Sequence, residues 1–176
     1  MSEDSPDYKA ALAAVTYDSL KARIRDWQLA MGQPLQDPKF PTQQFQYVRE
    51  EWDELLEAQL YGTLKDEVDA IGDIAFTLVG LENAGGPSHV NKAWFTLELI
   101  CGQRGFSLAQ ILERICDSNE TKLWTEEDAL KTYPGGVDSG GHIVDKVNGR
   151  WVVRGAYTNK VVKPPTYKAP DFTGII

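Results

Sequence analysis

Side chains that bind soft metals or attack carbonyl carbons are scarce in this chain of 176 residues, which holds two Cys and two His. Cys101 and Cys116 lie far apart with no second Cys beside either. That spacing fits neither a zinc site nor a disulfide framework and suits a reducing compartment, although a single bridge between the two stays open. His89 and His142 are isolated in expected loops, and no Ser, His and Asp arrangement presents itself. No run approaches the ~18 apolar residues of a membrane span. The first residues carry Glu3, Asp4 and Asp7 where a signal peptide needs positive charge, so a soluble, cytoplasmic protein is expected.

Basic residues are in deficit as well. Eighteen Lys and Arg face 26 Asp and Glu, a net charge of −8. Polymeric nucleic acid is therefore a poor partner, because its binding relies on cations that displace counterions from phosphates. Gly135-Gly136-x-x-x-Gly140-Gly141 lacks the Lys-Ser/Thr of a P-loop and reads as a flexible connector.

What the chain does have is enough length for one buried core, with 42% hydrophobic residues. Residues 1–14 read as a loose or partly helical lead-in. Leu20, Ile24, Trp27 and Met31 then recur at helical spacing after Asp18, a candidate N-cap, and stop at Gly32 and Pro34. A proline-rich loop, 33–41, leads to a helix over about 42–61, and Gly62 separates it from another over about 64–82. Two more are expected at 90–101 and 107–123, with Ser107 as N-cap and a turn at 102–105. Past Lys131 the texture changes, and Asn148-Gly149 between two β-branched runs is a strong hairpin signal. The expectation is an all-α bundle of four to five helices over 1–132. A small β-hairpin and extended arm, 133–176, belong to the same domain, since so short a piece is marginal alone.

The acids are not spread evenly. The window from Glu50 to Asp73 holds nine acids against one base, the whole of the net charge. On the first of its helices Glu51 and Glu54 border the apolar stripe, while Glu50, Asp53 and Glu57 fall on the far side. On the second, Asp66, Asp69 and Asp73 share one strip opposite the main apolar face. Like charges so placed are either screened by water, as on any solvated face, or neutralised by a cation. Carboxylates without His or Cys favour Mg2+ or Mn2+ over zinc. A cation there could clamp phosphates, with Glu50 placed to accept a proton from an attacking water.

Glu50-Glu51-x-x-Glu54 followed by Asp69-Ala70-Ile71-Gly72-Asp73 resembles the motif pair of the all-α nucleoside triphosphate pyrophosphohydrolases. That superfamily comprises MazG, the dCTP pyrophosphatases, the dimeric dUTPases and phosphoribosyl-ATP pyrophosphohydrolase. The first half matches EExxE in full, whereas the ExxD half departs from it, with Ala70 in place of Glu. Asp117-x-Asn119-x-x-Lys122 is similar to the D-x-N-x-x-K segment that closes the site in MazG-like proteins, and the tail resembles those of phage-encoded members.

The resemblance implies hydrolysis of a (deoxy)nucleoside triphosphate to the monophosphate and pyrophosphate, with Mg2+ or Mn2+ as cofactor. Glu50 and Glu51 would be catalytic; Glu51, Glu54, Asp69 and Asp73 would hold metal. Which of Asp66, Asp69 and Asp73 ligate is left open by the altered spacing. Asn119 would contact the nucleotide and Lys122 the phosphates. Trp27, Phe45, Trp52, Phe76, Trp94 and Trp124 are stacking candidates, most of them expected in the core. Purine substrates, dGTP or dATP, are favoured over dUTP, dCTP or phosphoribosyl-ATP. A homodimer or homotetramer with sites at chain interfaces is expected, acting in the host cytoplasm if phage-encoded. The competing reading is a non-enzymatic helical protein whose acidic strip is a partner surface.

Overall fold

The computed structural model describes residues 6–86, 90–134, 141–157 and 160–176, with side chains from residue 17 onward except that of Val90. The helices among them are α1 (Pro6–Ala30), α2 (Phe40–Tyr61), α3 (Leu64–Asn83), α4 (Val90–Arg104), α5 (Leu108–Glu120) and α6 (Glu126–Thr132). A single hairpin of β1 (His142–Val147) and β2 (Arg150–Gly155) follows. No helix among the described residues is long and apolar enough to cross a membrane. His89 and most of the glycine-rich connector lie outside the described residues.

The structure holds one helix more than the four or five expected. Helix α6 has only seven residues, too short to show a periodicity. It is held by Thr125, whose hydroxyl accepts from Asp128 N–H, and by acids in its first turn and Lys131 in its last. Helix α1 begins at Pro6, so Asp18 sits inside it and caps nothing. Helix α4 runs through Gly102 and stops at Gly105, whose φ of +75° allows Phe106 N–H to reach Cys101 C=O at 2.9 Å. The other boundaries follow local chemistry. Pro41 opens α2, Thr63 and Asp66 form a capping box on α3, and Ser107 caps α5.

Helix α3 is the centre of the bundle and touches α1, α2, α4 and α5. Val68, Ile71, Ile74, Ala75 and Val79 along it are fully enclosed, packed with Ile24 of α1, Leu55 of α2, Leu97 of α4 and Ile111 and Ile115 of α5. Cys101 and Cys116 are free thiols in this core. Burial pushes them up to about 11 and about 12, which makes both poor nucleophiles. The strip of α3 that carries Asp66, Asp69 and Asp73 is left for the acidic face of α2.

The hairpin pairs Val144 with Val153 and Asp145 with Val152, and turns at Asn148 (φ 48°) and Gly149 (φ 80°) as Asn-Gly predicts. It packs on a small cluster of its own, Trp124, Ala129, Val144 and Val153. The arm then returns along α5 to bury Phe172 in the main core.

Candidate functional site

A cavity of about 560 Å3 opens where the end of α1, the first half of α2, the middle of α3 and the end of α5 meet. The sequence patterns put each wall there for a separate reason. Helix α1 ends in Gly32 (φ +68°), which lets Gln33 N–H bond Gln28 C=O at 2.9 Å and folds Gln33 back beside the helix end. Helix α2 presents Gln44, Tyr47, Glu50 and Glu51 at successive turns, and α3 presents Asp73, Phe76, Thr77 and Gly80. Asn119, in the last turn of α5, and Lys122, in the turn just past it, close the cavity.

Thus Glu50, Glu51, Asp73, Asn119, Lys122 and Trp27 all face one space, although Glu50 is exposed on its rim and was expected on the far side of α2. Glu54, Asp69 and Asp73 meet in an adjoining cleft of about 430 Å3 between α2 and α3, so Asp73 belongs to both. Asp66 lines this cleft as well, but its Oδ2 accepts from the Thr63 N–H and hydroxyl, both at 2.7 Å. Those bonds hold its carboxyl below the usual range. It is the capping residue of α3 and contributes to the site only through its negative charge.

Electrostatics separates Glu51, Asp69 and Asp73 from ordinary surface acids. Burial, and then the charges of Asp73, Glu54 and Glu50, push the Glu51 carboxyl up to about 8 against the pull of Lys122. Burial likewise raises Asp73 to about 7, reinforced by Asp69 and Glu54 and opposed by Lys122 and Lys163. Asp69 is raised by burial too, and its Oδ1 is a buried acceptor with no partner. Among the described residues no group of three His, Cys, Asp or Glu is gathered closely enough to hold an ion as it stands. The orphaned Asp69 oxygen and the all-oxygen donor set nevertheless fit a hard divalent cation. The residues that could hold one are Glu51, Glu54, Asp69 and Asp73.

The other end of the cavity is aromatic and amidic. Trp27 meets Phe76 edge to face at 5.0 Å, and its indole N–H donates to Asn119 C=O at 2.9 Å, which fixes the ring against the end of α5. Of the other stacking candidates Phe45 is exposed and Trp52 leans on the main core. Trp94 stands edge-on to Tyr17, and Trp124 is buried under the hairpin. Of these candidates only Trp27 and Phe76 line the cavity, together with Phe40 and Tyr47 of α2.

No family model, curated protein or solved structure matches the chain.

Several wall residues were missed by the sequence reading. Gln28 is buried and donates to Gly80 C=O at 3.1 Å, while its own oxygen accepts from Asn83 at 3.2 Å. Gln44 is 3% exposed and its Nε2 has no partner; Gln33 Oε1 is likewise buried and unpartnered. Gly80 makes room for the first two, since a Cβ there would stand 3.0 Å from both amides. A signal was present: Gln28 falls between Ile24 and Met31, and Gln44 between Phe40 and Val48, at positions where each stripe calls for an apolar residue. An unpaired buried amide costs about 1–3 kcal/mol, so these two atoms are ready to bond a polar group, water or ligand, that enters the cavity.

The raised carboxyls have a measurable consequence. From about pH 5 to about pH 8 the unfolded chain has already released the protons of Glu51 and Asp73 while the folded chain still holds them, so stability falls as pH rises. Groups with lowered values, such as Asp66 and Asp171, act below this window. The melting temperature in chelator should drop across it by several degrees, and millimolar Mn2+ should flatten the slope. A melting temperature that is level in chelator, or a slope untouched by Mn2+, contradicts this picture of the site.

Proposed function

We propose that the protein hydrolyses a (deoxy)nucleoside triphosphate between the α- and β-phosphates, giving the monophosphate and pyrophosphate. One observation carries the reading. Half-buried carboxyls whose ionisation burial and neighbouring acids oppose (Glu51, Asp73) share a single cavity with a cation (Lys122), an aromatic wall (Trp27, Phe76) and unpartnered amides (Gln33, Gln44). Acid at one end and flat, hydrogen-bonding surface at the other is what a nucleotide needs, and the volume suits a ligand of that size. The resemblance of EExxE, DAIGD and D-x-N-x-x-K to the pyrophosphohydrolase motifs supports it.

Each residue has a definite task in this reaction. Trp27 and Phe76 cover the base, and Gln44 and Gln33 hydrogen-bond its edge. Lys122 draws the phosphates toward the acidic end. Glu50, at the rim, takes the proton of the attacking water, and Glu51 orients that water. Glu51, Glu54, Asp69 and Asp73 would hold Mg2+ or Mn2+, which when bound supplies positive charge to the phosphoryl oxygens. A dimer or tetramer belongs to this reading. It is supported by exposed Leu56, Leu60, Tyr61 and Leu64 at the α2–α3 elbow, beside the acidic cleft.

The test is pyrophosphate release from each NTP and dNTP with Mg2+ or Mn2+. Release from at least one, with dGTP and dATP assayed first, is expected, together with stoichiometric monophosphate. Orthophosphate as the product would overturn cleavage between the α- and β-phosphates, and no turnover of any nucleotide alongside saturable binding of another protein would favour the partner-surface reading.

A further inference from the structure

The hairpin and arm after the helical core have no task in the mechanism above, yet they bring cations to the same cavity. Arg154 of β2 and Lys160 at the start of the arm line it together with Glu50, Glu51 and Asp73. Their placement is built. Val161 bridges Arg154 as a further strand position, Gly155 N–H donates to Lys160 C=O at 2.9 Å, and Val162 N–H to Val153 C=O at 2.8 Å.

The sub-structure is then locked to the helices that carry the site. Asn148 at the hairpin turn donates to Leu29 C=O of α1 at 3.0 Å, and the Trp124 indole donates to Val162 C=O at 2.8 Å. Farther along, Ser118 donates to Lys168 C=O at 2.9 Å and Lys168 N–H to Thr121 Oγ1 at 3.0 Å. A Cβ at Gly32 would lie 3.8 Å from an Arg154 guanidinium nitrogen, so that side chain rests against the end of α1, at the cavity mouth. Arg154 makes no ion pair with any described residue, unlike Lys21, Arg23, Arg104 and Lys146. Lys163, 4.3 Å from the Tyr167 ring, adds its field to Asp69 and Asp73.

A guanidinium and an ammonium on an anchored backbone, sharing a cavity with an acidic cluster, define a slot for an anion chain longer than one phosphate. We propose that Arg154 and Lys160 grip the polyphosphate of the nucleotide, so that the C-terminal hairpin and arm form the phosphate-binding wall of the site. This rests on the nucleotide reading above and assigns the appendage a task within it.

Calorimetry with Mg2+ and three probes separates the two claims: inorganic tripolyphosphate, a nucleoside triphosphate with a non-hydrolysable α,β linkage, and the corresponding monophosphate. Wild type should bind the first two. Arg154→Gln and Lys160→Gln should each weaken both about tenfold or more, affect the monophosphate far less, and reduce the salt dependence of binding. Arg150→Gln, an exposed cation on the same strand, should change nothing. Lys160 is exposed, so its variant keeps its fold and decides the matter even where Arg154→Gln unfolds. Full-strength binding of the triphosphate analogue by Lys160→Gln and by folded Arg154→Gln overturns the phosphate wall and leaves the nucleotide reading standing, as does an equal loss for all three probes. Wild-type protein that binds neither the analogue nor tripolyphosphate overturns both.

Discussion

Asp73→Asn should lose pyrophosphate release by about a thousandfold and yet, in chelator at pH 8, melt at a higher temperature than wild type. The two effects have one cause. Burial raises Asp73 first, followed by the negative charges of Asp69 and Glu54, so ionising it in the folded chain is costly. Asn keeps the shape and removes the charge. Solvent reaching the cavity discounts the gain to about 1–2 kcal/mol, or a few degrees for a domain of this size. Glu51→Gln should behave alike, since burial and Asp73 hold its carboxyl at about 8. The control is Glu67, a carboxylate 5% exposed on another face of α3. It pairs with Arg104 at 2.7 Å and accepts from Gln59 at 3.1 Å. Glu67→Gln breaks a satisfied pair and should lower the melting temperature without touching kcat. Stability and activity lost in parallel at Asp73 would mean that this carboxylate only supports the fold.

Opposite signs at Asp73 and Glu67 also mark what the sequence could and could not reveal. Periodicity located five of the six helices, because each apolar stripe is long enough to register. Helix α6 escaped because its stability comes from the Thr125 cap and from packing under Trp124. The acids of α2 and α3 were legible as a group, since a short Gly62 turn must make those helices neighbours. Spacing alone could not separate Asp66 from Asp69, which differ by one helical turn. Thr63 separates them, because its bonds occupy one carboxylate and leave an oxygen of the other buried and unmet.

The amide end and the cationic wall are tertiary products. Gln28 and Gln44 stand out in their stripes, but that their amides meet at Gly80 follows only from how α1, α2 and α3 cross. Arg154 and Lys160 are remote in sequence from every other site residue. They join the cavity because Asn148, Trp124 and Ser118 fasten the appendage to α1 and α5. Nothing local in the arm announces that docking.

Gly72→Leu should unfold the protein or cost more than about 3 kcal/mol, well beyond the loss expected of a surface substitution. Gly72 lies on α3 against α5, where an added Cβ would stand 2.4 Å from Ile115 Cγ1 and 2.9 Å from Ile111 Cγ2. Both isoleucines are essentially inaccessible to solvent, so neither can swing aside. Gly72→Ala is the measurable intermediate. Its gain of about 1 kcal/mol in helix propensity is offset by overpacking of about 1–3 kcal/mol, a net loss that should shrink on an Ile115→Ala background, where the clashing Cγ1 is gone. Because Asp73 is the next residue and Asn119 and Lys122 sit at the end of α5, the close approach at Gly72 also sets the width of the cavity between them. Gly72→Ala should therefore lower kcat/KM by more than its loss of stability explains, and on the Ile115→Ala background both losses should shrink together. Thermal melts and pyrophosphate release on the three variants check this. Recovery of stability without recovery of activity would show that the α3–α5 spacing serves the core alone.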